Sequence, residues 1–166
     1  RLMIGGKIQN YRNILRRYIR DYGENEDINR AVQVLERAKR DALKAQDKTE
    51  LIGYEGMASN AYFEVLPILI LNQKTDFPFH GRNRRPPKDA VNAMLSFAYT
   101  LIANDVAAAL ETVGLDPYVG FLHTLRPGRT SLALDMMEEL RAYLGDRFIL
   151  SLINKRQISV KDFLFQ

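Results

Sequence analysis

Apolar residues along the first half of the chain recur at helical spacing and break at short polar or glycine-containing gaps. From Lys7 to about Asp21, Ile8, Tyr11, Leu15, Tyr18 and Ile19 fall on one side of a helix, while Arg12, Arg16, Arg17 and Arg20 occupy the rest. A break at Gly23–Asp27 precedes a second amphipathic pattern, Ile28, Ala31, Val32, Leu35, Ala38 and Leu43, ending near Gln46. The two predict a helical hairpin. Asp47 and Glu50 have capping-box spacing and open a third helix carrying Leu51, Ile52, Met57, Ala58, Ala61, Tyr62, Val65 and Leu66. Pro86 and Pro87 lead into a long helix reaching about Val113, whose apolar positions from Val91 to Leu110 predict a largely buried core helix. A further helix opens near Thr130 or Ser131. The pattern is that of an all-α, multi-helix domain.

Three places depart from ordinary helix patterning. Gly53 and Gly56 bracket Glu55 inside the third helix, although each glycine costs about 1 kcal/mol relative to alanine there. The glycines imply a close approach, either by a neighbouring helix or by a bulky ligand such as a sugar-phosphate. The connection from Asn72 to Pro87 gathers Arg82, Arg84, Arg85 and nearby Lys88 beside Phe77 and Phe79, a composition suited to gripping nucleic-acid backbone and stacking a base, or to a plain solvated loop. The stretch after Gly114 holds His123, Arg126 and Arg129 and then Asp135 and Glu138, whose spacing places both carboxylates on one helix face. Apolar neighbours on several sides put at least one of them near buried surface, where an ionised group needs a partner or a metal, and the pair is spaced to share one cation.

Composition narrows the chemistry. The 166 residues, 46% hydrophobic, suffice for one packed domain, and the formal charge of +4 favours an acidic partner without requiring one. The absence of cysteine removes disulfides, thiolate metal sites and a cysteine nucleophile, and fits a reducing compartment, with the cytosol as the default expectation. No uninterrupted run of some 18 apolar residues occurs, so no membrane association is expected. Tryptophan, common in sugar-cleaving sites, is missing, and no P-loop, HExxH or dinucleotide fingerprint is present. Two carboxylates and one imidazole suit Mn²⁺ or Mg²⁺ on phosphate oxygens. Asn92, on one face with Asp89 and Ser96, is placed either to bond a phosphate or site ligand or to pack between helices. The same residues also admit a non-catalytic helical module that binds nucleic acid or protein.

The segments LIGYEGMASNAYF around Glu55, RRPPKDAVNAMLSFAYTLI from Arg84, GLDPYVGFLHTLRPGRTSLALDMMEELR from Gly114 and RFILSLIN from Arg147 together resemble the CRISPR-associated integrase and endonuclease family that captures new spacers. The resemblance covers most of the chain after residue 50. It implies that Glu55, His123 and Glu138 are the catalytic metal ligands, that Asp135 is an auxiliary group, and that Mn²⁺ or Mg²⁺ is the cofactor. It further implies metal-dependent phosphodiester cleavage and strand transfer on double-stranded and branched DNA during spacer acquisition. Arg84, Arg85, Lys88, Arg126 and Arg129 would then hold the DNA, with Asn92 as an auxiliary residue. Family members carry an N-terminal β-rich domain that supports a homodimer, and they work with a small ferredoxin-like adaptation partner. Nothing in this sequence reads as that β-rich domain, and the start at Arg1 suggests a fragment, the helical catalytic domain of a longer protein.

Overall fold

The computed structural model describes residues 1–83 and 86–163. Among the described residues six α-helices carry the fold, and no strand occurs. They are α1 (Leu2–Tyr22), α2 (Glu26–Lys44), α3 (Lys48–Val65), α4 (Ala90–Thr112), α5 (Ser131–Leu140) and α6 (Arg147–Asn154). A 3₁₀ turn, Leu66–Leu69, extends α3, and a π-helical turn, Arg141–Asp146, joins α5 to α6. The all-α expectation is met.

Local chemistry explains most boundaries. Asn25 caps α2 by accepting from the Ile28 amide, and Asp89 caps α4 by accepting from the Asn92 amide at 2.7 Å. At α3 the Asp47 side chain accepts from the Glu50 amide, but Glu50 reaches one residue further back, to the Gln46 amide at 2.8 Å. The expected reciprocal box is therefore shifted by one residue. At the start of α5 the Ser131 amide finds the Arg129 carbonyl at 2.8 Å, and the Leu132 and Ala133 amides find the Pro117 carbonyl at 2.9 and 3.3 Å.

α1 and α2 form the predicted hairpin, antiparallel, with Gly5 against Leu43, Gln9 bonded to Lys39 and Arg12 paired with Glu36. Ile4, Ile8, Tyr11 and Leu15 of α1 are fully buried against Leu35, Ala38 and Ala42 of α2. The small α2 residues bring the backbones close, and the Tyr11 ring stacks on Tyr62 of α3 with centroids 3.9 Å apart. Of the α1 arginines, Arg16, Arg17 and Arg20 are exposed, whereas Arg12 pairs with Glu36.

Two expectations are overturned. α4 is not largely buried: its first half packs on the core, but Phe97 and Leu101 are exposed and the later residues mostly face solvent. By length and composition this helix is apolar enough to cross a membrane, although Asn92, Asn104 and Asp105 interrupt its apolar run. The phenylalanines of the 72–87 connection are unavailable to bases, since Phe77 packs edge-on against Phe163 and Phe79 lies against Phe63, both rings buried.

Asn154 locks this connection to the end of α6. Its side chain accepts from the Leu71 and Asn72 amides at 2.7 and 3.3 Å and donates to the Leu69 carbonyl at 2.9 Å. Asn154→Ala strands three backbone groups and is expected to lower the unfolding free energy by about 2 kcal/mol, read from the urea midpoint at constant slope. A loss below about 0.5 kcal/mol would mean that water replaces these bonds freely.

Candidate active site

α1, α3 and α5 meet at a buried cation. Lys7, on the apolar stripe between Ile4 and Tyr11, is 1% exposed, and its ammonium bridges the Glu55 carboxylate of α3 and the Glu138 carboxylate of α5, the latter at 2.7 Å. Ser59, one turn after Glu55, donates to Glu55 Oε1 at 2.8 Å. Burial opposes the charged form of Lys7, but Tyr11, Glu138 and Glu55 outweigh it and raise its pKa above the usual ammonium range. Burial likewise works against ionised Glu55, yet the Lys7 charge and the bonds from Lys7 and Ser59 win, and its pKa is lowered. Both groups are charged at neutral pH.

His123 enters from the connection between α4 and α5. Asp135, wholly buried, accepts from the amides of Phe121 (2.6 Å), Leu122 (2.7 Å) and His123 (2.9 Å) and lies 2.6 Å from His123 Nδ1. Burial alone would raise its pKa, but these four bonds lower it, so the carboxylate is ionised and Nδ1 carries the donated hydrogen. Nε2 then faces the acidic pair, 4.0 Å from Glu138 Oε1. Gly120 makes this wrap possible: a Cβ there would stand 2.7 Å from the Ser131 carbonyl carbon and 2.8 Å from Asp135 Oδ2. Asp135 and Glu138 therefore do not share a cation here; Asp135 spends its oxygens on the His123 loop.

Glu55, His123 and Glu138 thus converge from three segments. Among the described residues no group of three His, Asp or Glu side chains is gathered tightly enough to hold an ion in this conformation, because the Lys7 ammonium lies between the carboxylates. The site nevertheless fits a divalent cation: a cation already sits between the two carboxylates, both are ionisable oxygen donors, and the imidazole has its second nitrogen pinned by a carboxylate, as metal-ligating histidines do. Among the described residues a Cβ on Gly53 or Gly56 would find nothing within 4 Å. No described helix packs closely on them, so the helix-packing explanation fails among the described residues, which leave the space beside Glu55 open.

Asn92 is fully buried and its amide is fully used: it donates to Gly81 O and Asp89 Oδ2 and accepts from the Asn83 amide and Arg82. It organises the 81–89 loop. Lys88 and Arg126 are exposed, Arg129 is half-buried, and Arg84 and Arg85 lie outside the described residues. Sequence reasoning missed Lys7, Arg141 and Asp146. Lys7 was legible as the one charged residue on α1's apolar stripe, and Arg141 as a cation one turn after Glu138, which it reaches at 3.1 Å. Asp146, at the end of the π turn, is wholly buried and accepts from the Tyr99 hydroxyl. No periodicity announces it.

The model for the family described as CRISPR associated protein Cas1 matches residues 1–166. A CRISPR-associated endonuclease Cas1 of Leptospira interrogans is 48% identical over 99% of this chain and 65% of its own length. One from Chlorobaculum tepidum is 51% identical over 98% of this chain and 48% of its own length. The chain thus spans from about half to about two thirds of these relatives. Among solved structures, a Cas1 protein from Thermotoga maritima superposes with a TM-score of 0.81 at 29% identity, covering 99% of this chain and 49% of that one. A casposase bound to integration product gives 0.78 at 27% identity, covering 99% of this chain and 44% of that one. Fold and relatives place the molecule among the CRISPR-associated proteins. Within that class, the chain belongs to the Cas1 family.

Two measurements check the electrostatics. Lys7→Met leaves buried Glu138 and half-buried Glu55 without their shared cation and is expected to lower stability by about 3 kcal/mol near neutral pH, with the deficit shrinking as acid protonates one of them. An unchanged urea midpoint would show that the bridge does not hold the helices. Asp146 has its pKa raised to about 6, chiefly by burial and against the Tyr99 hydrogen bond. A raised folded-state pKa contributes stability that is complete below the unfolded value and lost as pH rises through about 6. Melting curves from about pH 4 to about pH 7 should therefore show wild type losing stability relative to Asp146→Asn, and parallel curves would contradict the assignment.

Proposed function

We propose that this chain is the helical catalytic domain of a longer Cas1 protein and that it cleaves and joins DNA phosphodiesters with Mn²⁺ or Mg²⁺ during spacer acquisition. The observation that carries the reading is the convergence of Glu55, Glu138 and a carboxylate-oriented His123 around a buried positive charge. Glu55, His123 Nε2 and Glu138 would hold the ion, which when bound polarises a phosphodiester oxygen and lowers the pKa of an attacking hydroxyl or water.

The protein's own groups do the rest. Asp135 keeps the His123 hydrogen on Nδ1 and so leaves Nε2 with its lone pair toward Glu138. Gly53 and Gly56 keep the approach to Glu55 open for a sugar-phosphate. Exposed Lys88 and Arg126, together with Arg129 and the basic pair Arg84 and Arg85, hold the backbone without reading bases, so binding is salt-sensitive and largely independent of sequence. A 3′-hydroxyl as attacker gives strand transfer into the repeat array, and water gives cleavage. Asn92 acts at one remove by fixing Arg82.

The structurally similar casposase, solved bound to integration product, supports the joining reaction, and the Cas6-RT-Cas1–Cas2 assemblies support a Cas2-type partner. We read that partner as the small ferredoxin-like adaptation protein, the full-length molecule as a homodimer through an N-terminal β-rich domain, and the location as prokaryotic cytoplasm.

Mn²⁺ uptake and Mn²⁺-dependent cleavage or strand transfer on a branched duplex test the reading. His123→Ala is expected to lose both, and Asp135→Asn to weaken Mn²⁺ binding by about 10- to 100-fold. Equal uptake and equal turnover in wild type and His123→Ala would remove the histidine from the centre, and metal-independent DNA or protein binding alone would leave a non-catalytic helical module.

A further inference from the structure

Beside His123, a pocket of about 230 Å³ opens between α4, the α4–α5 connection and the π turn. Arg82, Arg129 and Arg141 line it together with His123 and Ser96. Two of the guanidiniums are built in. Arg82 donates to Asn92 Oδ1 at 2.8 Å and to Ser96 Oγ at 3.1 Å, and its guanidinium carbon lies 5.4 Å from the Tyr99 ring centre. Arg141, 8% exposed, lies 5.1 Å from that ring centre and reaches Glu138 Oε1 at 3.1 Å, while its Nε is buried without a hydrogen-bond partner. The ring itself is anchored by its hydroxyl bond to buried Asp146.

The third guanidinium is the telling one. Arg129 is half-buried, yet its side chain makes no hydrogen bond or ion pair among the described residues. Glu138, the carboxylate that reaches Arg141, is already shared with Lys7. A wall with three guanidiniums, one of them without an acceptor among the described residues and one with a buried idle donor, is short of an anion, and planar N–H forks match phosphate oxygens.

We propose that this pocket is a subsite for a single phosphodiester of the DNA strand, the one adjacent to the phosphate at the Glu55–His123–Glu138 centre, bound by Arg129 and Arg141 over a fixed Arg82. His123 forms a wall of both sites, so the occupant lies within one nucleotide step of the reacting phosphate. The Tyr99 ring between two guanidiniums holds like charges near each other before DNA arrives, which lowers the reorganisation needed on binding. Arg82 and Arg141 thereby become strand-positioning residues. The subsite rests on the DNA-acting reading given above.

Methylphosphonate scanning tests it. Single neutral replacements are placed at each phosphate flanking the reaction point of a labelled branched duplex, and affinity is measured over a salt series with the 166-residue chain. Wild type is expected to lose about tenfold in affinity at one adjacent position only, and Arg129→Gln to lose about as much on unmodified DNA, with a salt slope shallower by about 1. Combining the variant with that replacement should cost nothing further, and Arg129→Lys should recover the slope. Additive losses, uniform sensitivity along the strand, or a wild-type salt slope in Arg129→Gln overturn the subsite. Mn²⁺ binding, followed by electron paramagnetic resonance, should be unaltered in Arg129→Gln. Loss of Mn²⁺ binding in wild type with the position-specific effect intact sinks the metal reading alone, and absence of DNA binding in wild type sinks both.

Discussion

A buried ammonium between two carboxylates is the constraint around which the rest is arranged. Lys7 ties α1 to α3 through Glu55 and to α5 through Glu138, so the three helices that surround the centre are held at their crossing by charge as well as by packing. Two carboxylates this close and this buried repel unless something positive lies between them. The same electrostatics that stabilises the helix crossing therefore keeps an acidic pair concentrated at one point. On the function proposed above, a hard cation would compete with Lys7 for these oxygens.

Around that pair, buried polar side chains hold the loops and the candidate site residues in place. Asp135 gives all its acceptor capacity to the His123 loop, and Gly120 allows that loop to touch α5 because a side chain there would collide with Ser131 and Asp135 itself. Asn92 does the corresponding work for the 81–89 loop, and Asp146 for Tyr99. Each is wholly buried; Asp135 and Asn92 hold up partly exposed residues, His123 and Arg82, whereas Asp146 fixes the buried Tyr99 ring. The π turn at Arg141–Asp146 shifts the register between α5 and α6, so that Arg141 faces Glu138 while Asp146 turns inward to Tyr99.

The helices and the α1–α2 hairpin were legible in the sequence because amphipathic spacing and capping residues are local signals. Glu55 and Glu138 stood out as candidates for a different reason: glycines in a helix interior and carboxylates in an apolar segment violate local rules, and the structure brings the two onto one lysine. What periodicity could not supply was the partner across space. The apolar face of α4 reads as core, yet much of it faces solvent, since no described element covers Phe97 and Leu101. Phe77 and Phe79 read as free to stack bases but are consumed by Phe163 and Phe63. Lys7 sat in plain view on an apolar stripe, and its meaning depended on two residues far along the chain.

Those distances have a consequence for how the molecule comes into being. Lys7 and Glu138 are separated by 131 positions, and Glu55 and His123 fall between them, so the acidic centre closes through contacts with a large loop-closure cost. During synthesis α1 to α3 can pack as soon as they leave the ribosome, with Lys7 already paired to Glu55, but the second carboxylate arrives only with α5. A nascent chain that ends before α5 thus carries Lys7 and Glu55 without Glu138, and the acidic centre is complete only when almost all of this domain has emerged.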